Sequence, residues 1–224
     1  MTTGLLLTLA ALAIVDSTSF GTLGIPVYLM VASERGQAPR LLLYLATVAV
    51  FYYLVGVGLM LGLSTAMDNF GDALHSEAAY WVQLVLGVGL FALSFRFDGK
   101  RGKGPRLEPR MGGPRAMVLL GLTAGTLEVA TMVPYLAAIG IMTTAALPAG
   151  QWLPLLAAYV ALMFVPVLAL LGLRATAAAW VEPKLVRLRA WLARHAASAV
   201  GWTLGIAGFL LARDAAAFLF FSGG

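Results

Sequence analysis

Two acidic residues stand deep inside long apolar runs, each beside hydroxyl residues, glycine and proline. The first run carries Asp16-Ser17-Thr18-Ser19-Phe20-Gly21-Thr22-Leu23-Gly24-Ile25-Pro26, and the second carries Gly125-Thr126-Leu127-Glu128-Val129-Ala130-Thr131-Met132-Val133-Pro134. Each acid lies about 12 residues into its run, roughly 18 Å at 1.5 Å per residue, which is near the middle of a hydrocarbon layer about 30 Å thick. A carboxyl group there costs on the order of 3 kcal/mol and needs a cavity, a partner or a proton. Asp16 and Glu128 are therefore the candidate substrate- and proton-binding groups. Ser17, Thr18, Ser19, Thr22 and Thr131 are candidate partners for headgroup hydroxyls or phosphate. Other chemistries lack their residues. Cysteine is absent and only His75 and His195 are present, which disfavours thiol relays, thiolate nucleophiles and histidine-rich metal carriage. The sequence holds no phosphate-binding loop, nucleophile elbow or metal-ligand cluster, so neither metal nor cofactor is expected.

The elements that hold these residues follow from composition. Of 224 residues 61% are hydrophobic and 11% charged, with a mean hydropathy of +0.90. Soluble domains carry about 25% charged residues, so the chain is expected to be an all-α integral membrane protein. Six apolar stretches are expected to span, approximately 5–30, 41–63, 80–95, 116–142, 152–173 and 199–221. The first lacks a basic leader and is read as a retained helix. Trp81 and Trp152 on one side, and Trp180, Trp191 and Trp202 on the other, are read as interfacial anchors.

The segment 98–115, rich in Gly, Pro and Arg, divides the chain into a three-helix half over 1–97 and another over 116–224. Three spans per half put the halves in opposite orientation, the arrangement of an inverted-topology repeat. Asp16 with Pro26 and Glu128 with Pro134 give the two halves a weak common pattern. Pro26 and Pro134 remove backbone donors, and Gly21 and Gly24 permit irregular backbone, so helices 1 and 4 are expected to be kinked or broken around a central site. Pro166 is expected to kink span five.

Fourteen of the fifteen basic residues fall in the connections after spans one, three and five, the exception being Arg213. Positive-inside reasoning places those connections in the cytoplasm and both termini outside a plasma membrane. The net charge of +5 thus reads as orientation and contact with anionic lipid, with no nucleic acid as partner. Segment 175–197 repeats Leu185, Leu188, Trp191 and Leu192 at helical steps among Lys184, Arg187 and Arg194, the pattern of an interfacial amphipathic helix before helix 6. Arg213 is a candidate anion contact, for Asp16, Glu128 or a headgroup, unless it snorkels outward. Glycine faces in spans two and six serve close helix packing and allow a homodimer.

The segment AALAIVDSTSFGTLGIPVYLM, with its aspartate, its Ser/Thr run, Gly-Thr and Ile-Pro, resembles the opening of the actinobacterial GAP-like family. That family comprises the glycopeptidolipid- and sulfolipid-addressing proteins, grouped with the LysE-type exporters. The distinctive motif is Asp16 to Pro26; length, span number and basic central loop agree over the rest. The resemblance implies outward movement of a cell-envelope lipid or glycolipid, often alongside a larger lipid transporter.

Three functions compete on these residues. A transporter or flippase-like exporter uses Asp16 and Glu128 as a midplane site, with proton coupling through either acid. A non-transporting accessory scaffold uses the basic loop and the amphipathic helix as docking surfaces for a lipid-export complex. An intramembrane enzyme would use one acid as a general base, but catalytic centres ordinarily add a histidine, a close second carboxylate or a metal, so no enzymatic activity is expected.

Overall fold

The computed structural model describes residues 2–32, 38–74, 76–98, 112–128 and 132–221. Thr131, Arg35 and most of the basic central segment lie outside them. The described elements are helical: α1 Thr3–Asp16, a π-helical turn Phe20–Gly24, α2 Ile25–Ala32, α3 Ala38–Leu74, α4 Glu77–Asp98, α5 Pro114–Glu128, α6 Val133–Thr144, α7 Ala149–Thr176 and α8 Ala178–Phe221.

Among the described residues three helices are long and apolar enough to cross a membrane: α3 over Ala38–Leu63, α4 over Glu77–Phe95, and α7. Counting each bent pair as one span raises the number to five, α1 with the π turn and α2 (bent by 60°) and α5 with α6 (bent by 73°). The expected sixth crossing is the distal part of α8, whose described residues do not form such an apolar run. Large apolar side chains such as Leu7, Val15, Leu54, Leu119 and Val165 point outward, the arrangement that a hydrocarbon solvent permits.

Local chemistry explains the first break. After Asp16 the hydroxyls of Ser17 and Thr18 donate to the carbonyls of Ile14 (2.6 Å) and Val15 (2.7 Å), diverting acceptors that a continuing helix would use. Ser19 is then extended (ψ 162°) and its hydroxyl accepts the Thr22 amide. Pro134 occupies the second position of α6, where a missing N–H leaves no bond unmade. Pro26 lies farther from the first break, in α2, which continues directly from the π turn.

Pro166 lies inside α7, which contains both Pro154 and Pro166, and Leu156, Val160, Met163 and Val167 along it are buried. Two expectations are corrected. The connection after span two is helical as far as Leu74, since no proline or cap stops it at residue 64. The amphipathic segment 175–197 is not a separate element. The chain breaks at Ala177 (φ −132°) and then runs unbroken from Ala178 to Phe221. Its apolar stripe packs on protein: Val181 and Leu185 are core residues, with Leu188 and Leu192 against them. Trp152, read as an anchor, is also buried in that core.

The chain forms two compact units. The first holds α1, α2, α3 to Met60, α5 to α7, and α8 to Ala193; the second holds α3 from Leu61, α4, and α8 from Arg194. In the second unit α4 and α8 meet at backbone distance. A Cβ on Gly87 would stand 2.5 Å from the Ala212 nitrogen, and one on Gly208 would collide with the Phe91 amide. Tyr80 stacks on Phe218 with ring centroids 3.7 Å apart, and Gln83 donates to Asp214 (3.0 Å) and to the Leu211 carbonyl (3.2 Å). Gly87→Ala and Gly208→Ala are each expected to cost about 1–3 kcal/mol by forcing these backbones apart. Gly140→Ala, where a Cβ meets nothing within 4 Å, should change stability little. Thermal unfolding of the three variants in detergent measures the difference.

Candidate functional site

The two breaks meet in the first unit. Asp16 is the last residue of α1 and Glu128 the last residue of α5, and both acids are buried, 3% and 7% exposed. The Gly21 amide, in the π turn, donates to Glu128 Oε1 at 3.0 Å. The hydroxyls of Ser19 and Tyr52 face the same carboxylate. Tyr159 of α7 donates to Asp16 Oδ2 at 3.3 Å. The carboxyl groups are near enough to feel one another's charge. Asp16 stands at the C-terminus of α1, the negative end of its macrodipole, so donors such as the Tyr159 hydroxyl carry the task of holding it in place.

A frame of tyrosines closes the site. Tyr44 donates to the Gly21 carbonyl at 2.8 Å, and Tyr135 to the Tyr52 carbonyl at 2.6 Å. The Tyr135 ring stands edge-on to Tyr52, with centroids 5.3 Å apart, and tilts against Tyr159 at 5.5 Å. Tyr44, Tyr52 and Tyr135 are fully buried. Sequence reasoning missed all four, because tyrosine in a helix is ordinarily packing or an interfacial anchor. A usable signal existed. Tyr52 and Tyr159 sit within apolar spans, away from the interface where amphipathic rings are favoured, and a buried phenol needs a partner.

The hydroxyls singled out from sequence divide between roles. Thr22 is fully buried, and its hydroxyl lies 3.3 Å and 3.2 Å from the carbonyls of Asp16 and Ser17 and 2.6 Å from the Ser19 hydroxyl. Ser17 is buried and bonded to its own preceding turn. Both shape the break. Ser19 is the hydroxyl that reaches Glu128, whereas Thr18 is exposed. Gly21 touches Glu128 directly, Gly24 lies under the Phe20 ring, and Pro26 is buried in α2. Arg213 is an exposed residue of the second unit. Among the described residues no three His, Cys, Asp or Glu converge as metal ligands would.

Tyr159→Phe tests the frame. Removing one donor from a buried carboxyl is expected to cost about 1–3 kcal/mol, read as a lower thermal midpoint in detergent, whereas the same change at half-buried Tyr53 should be nearly neutral.

A model of the sulfolipid-1-addressing protein family (Sap) matches residues 9–217 of the chain. No curated protein and no solved structure matches it.

Proposed function

We propose that this chain, which belongs to the sulfolipid-1-addressing protein family, is an exporter that moves a cell-envelope lipid or glycolipid across the plasma membrane, with the Asp16–Glu128 site handling the headgroup. Membership gives it a lipid-related membrane role. The observation that carries the transport reading is the meeting of two helix breaks on one buried carboxyl pair, with the Gly21 amide bonded to Glu128. Broken helices at membrane depth are tolerated where their freed groups are buried in protein or line a cavity, and in transporters such breaks form the substrate and coupling-ion sites. Two like charges held out of water repel, and a proton taken up by either acid relieves that repulsion; coupling to a proton gradient follows naturally. In this reading the distal part of α8 supplies the sixth crossing and the halves form a 3+3 inverted repeat. Both termini lie outside, and the basic connections face anionic lipid in the cytoplasm.

Reconstitution tests the proposal. Proteoliposomes containing fluorescent phosphatidylglycerol or a fluorescent glycolipid should show protein-dependent movement between leaflets that rises under an imposed proton gradient. No acceleration with either lipid, or wild-type rates in both Asp16→Asn and Glu128→Gln, overturns it. Movement that appears only when a larger membrane partner is co-reconstituted, and that survives both substitutions, establishes the accessory-scaffold alternative.

A further inference from the structure

An open apolar groove of about 560 Å³ lies on the first unit between α3 and α5, lined by Ala46, Thr47, Val50, Phe51, Leu54 and Leu122. Its volume falls in the roughly 300–1,000 Å³ range of ligand pockets, yet it offers a ligand almost nothing polar. The Thr47 hydroxyl is already given to the Leu43 carbonyl at 2.8 Å. A headgroup has no partner there; a hydrocarbon chain does.

The groove's inner wall is also the outer wall of the carboxyl site. The Phe51 ring lies against Gly125, where a Cβ would come within 2.5 Å of it, and it stands edge-on to Tyr52 at 6.4 Å between centroids. The Tyr52 hydroxyl faces Glu128, and Gly125 precedes Glu128 by three residues, one turn of α5, so both lie on the same side of the helix. One aromatic ring thus separates an apolar groove from a buried polar site. An amphiphile needs that pairing of surfaces.

We propose that the α3–α5 groove seats an acyl chain of the lipid this protein handles, with Phe51 as the partition between the chain and the headgroup site. The inference rests on the transport reading for its purpose but is tested by occupancy alone. Full-length protein in phosphatidylcholine nanodiscs carrying trace phosphatidylglycerol with a diazirine at its acyl terminus is irradiated, and the adducts are mapped by peptide mass spectrometry. Adducts on Val50, Leu54 and Leu122 are expected to exceed those on Leu119 and Val165, which are both more exposed than Leu122, at least fivefold. Val50→Trp or Leu122→Trp, filling the groove from either wall, should each remove the excess. Phe51→Ala should carry adducts inward to Tyr52. Adducts that track exposure alone overturn the proposal. So does a groove free of lipid adducts in protein that runs as a dimer, since a second copy then covers it. Groove labelling without lipid movement in proteoliposomes sinks the transport reading and leaves the groove standing; movement with uniform labelling does the reverse.

Discussion

Gly21→Ala is expected to abolish lipid movement and to destabilise the protein by about 2–4 kcal/mol. A Cβ at this position would land on the Glu128 carboxylate. The backbone has little freedom to retreat, because the Gly21 amide is bonded to Glu128 at 3.0 Å and its carbonyl accepts the Tyr44 hydroxyl at 2.8 Å. The methyl group therefore expels Glu128 from its donors or tears the turn away from Tyr44. Either outcome leaves buried polar groups unpaired, at about 1–3 kcal/mol each. Gly24→Ala is the informative contrast. Its Cβ would meet the Phe20 ring, and Phe20 is an exposed side chain at 45% rather than a buried carboxylate, so a loss under about 1 kcal/mol is expected. Thermal unfolding in detergent with leaflet-exchange rates in proteoliposomes separates the two. Equal effects at Gly21 and Gly24 would remove the Gly21–Glu128 contact from its central place.

Asp16→Asn and Glu128→Gln should behave in the opposite sense with respect to stability. Each amide keeps the oxygen that accepts from Tyr159 or from the Gly21 amide, while one of two mutually repelling charges is removed. Folding is expected to be unchanged or improved by about 1 kcal/mol, and leaflet exchange to fall at least tenfold, the pattern of a site that spends stability on function. The double variant should be no slower than either single one, because the acids act as one unit and effects within a unit do not add. A stability loss above about 2 kcal/mol in both single variants, with transport intact, would instead make the pair a structural fastening between the broken helices.

Much of this was legible beforehand because it is local. A carboxyl in the middle of an apolar run announces itself by its cost, so Asp16 was readable from neighbouring residues; irregular backbone was expected there from Pro26, Gly21 and Gly24, whereas the hydroxyls of Ser17, Thr18 and Ser19 stand at the break itself. Glu128 was readable in the same way. Helix ends were less secure, since they depend on weak stop signals. No breaker stands where α3 was expected to end, and nothing after Ala178 stops α8.

The stripe on the proximal part of α8 shows the limit of periodicity. Leu185, Leu188 and Leu192 define an apolar face, but a face does not state its partner. The spacing fits a lipid surface and a protein core equally well, and in the folded chain these residues meet the core of the first unit. The tyrosines make the same point for chemistry. Seven occur in the sequence, and only the packing of α3, α6 and α7 selects the four that frame the acids.

The sequence by itself determined which residues are too polar for their surroundings and that the helices carrying them are irregular, because desolvation cost and the backbone preferences of proline and glycine act within a few residues. Only the tertiary structure decided that the two breaks face each other. The Gly21–Glu128 bond joins residues 107 apart and the Tyr159–Asp16 bond residues 143 apart. Contacts at such separations arise when whole helices pack, and no local pattern of residues encodes them.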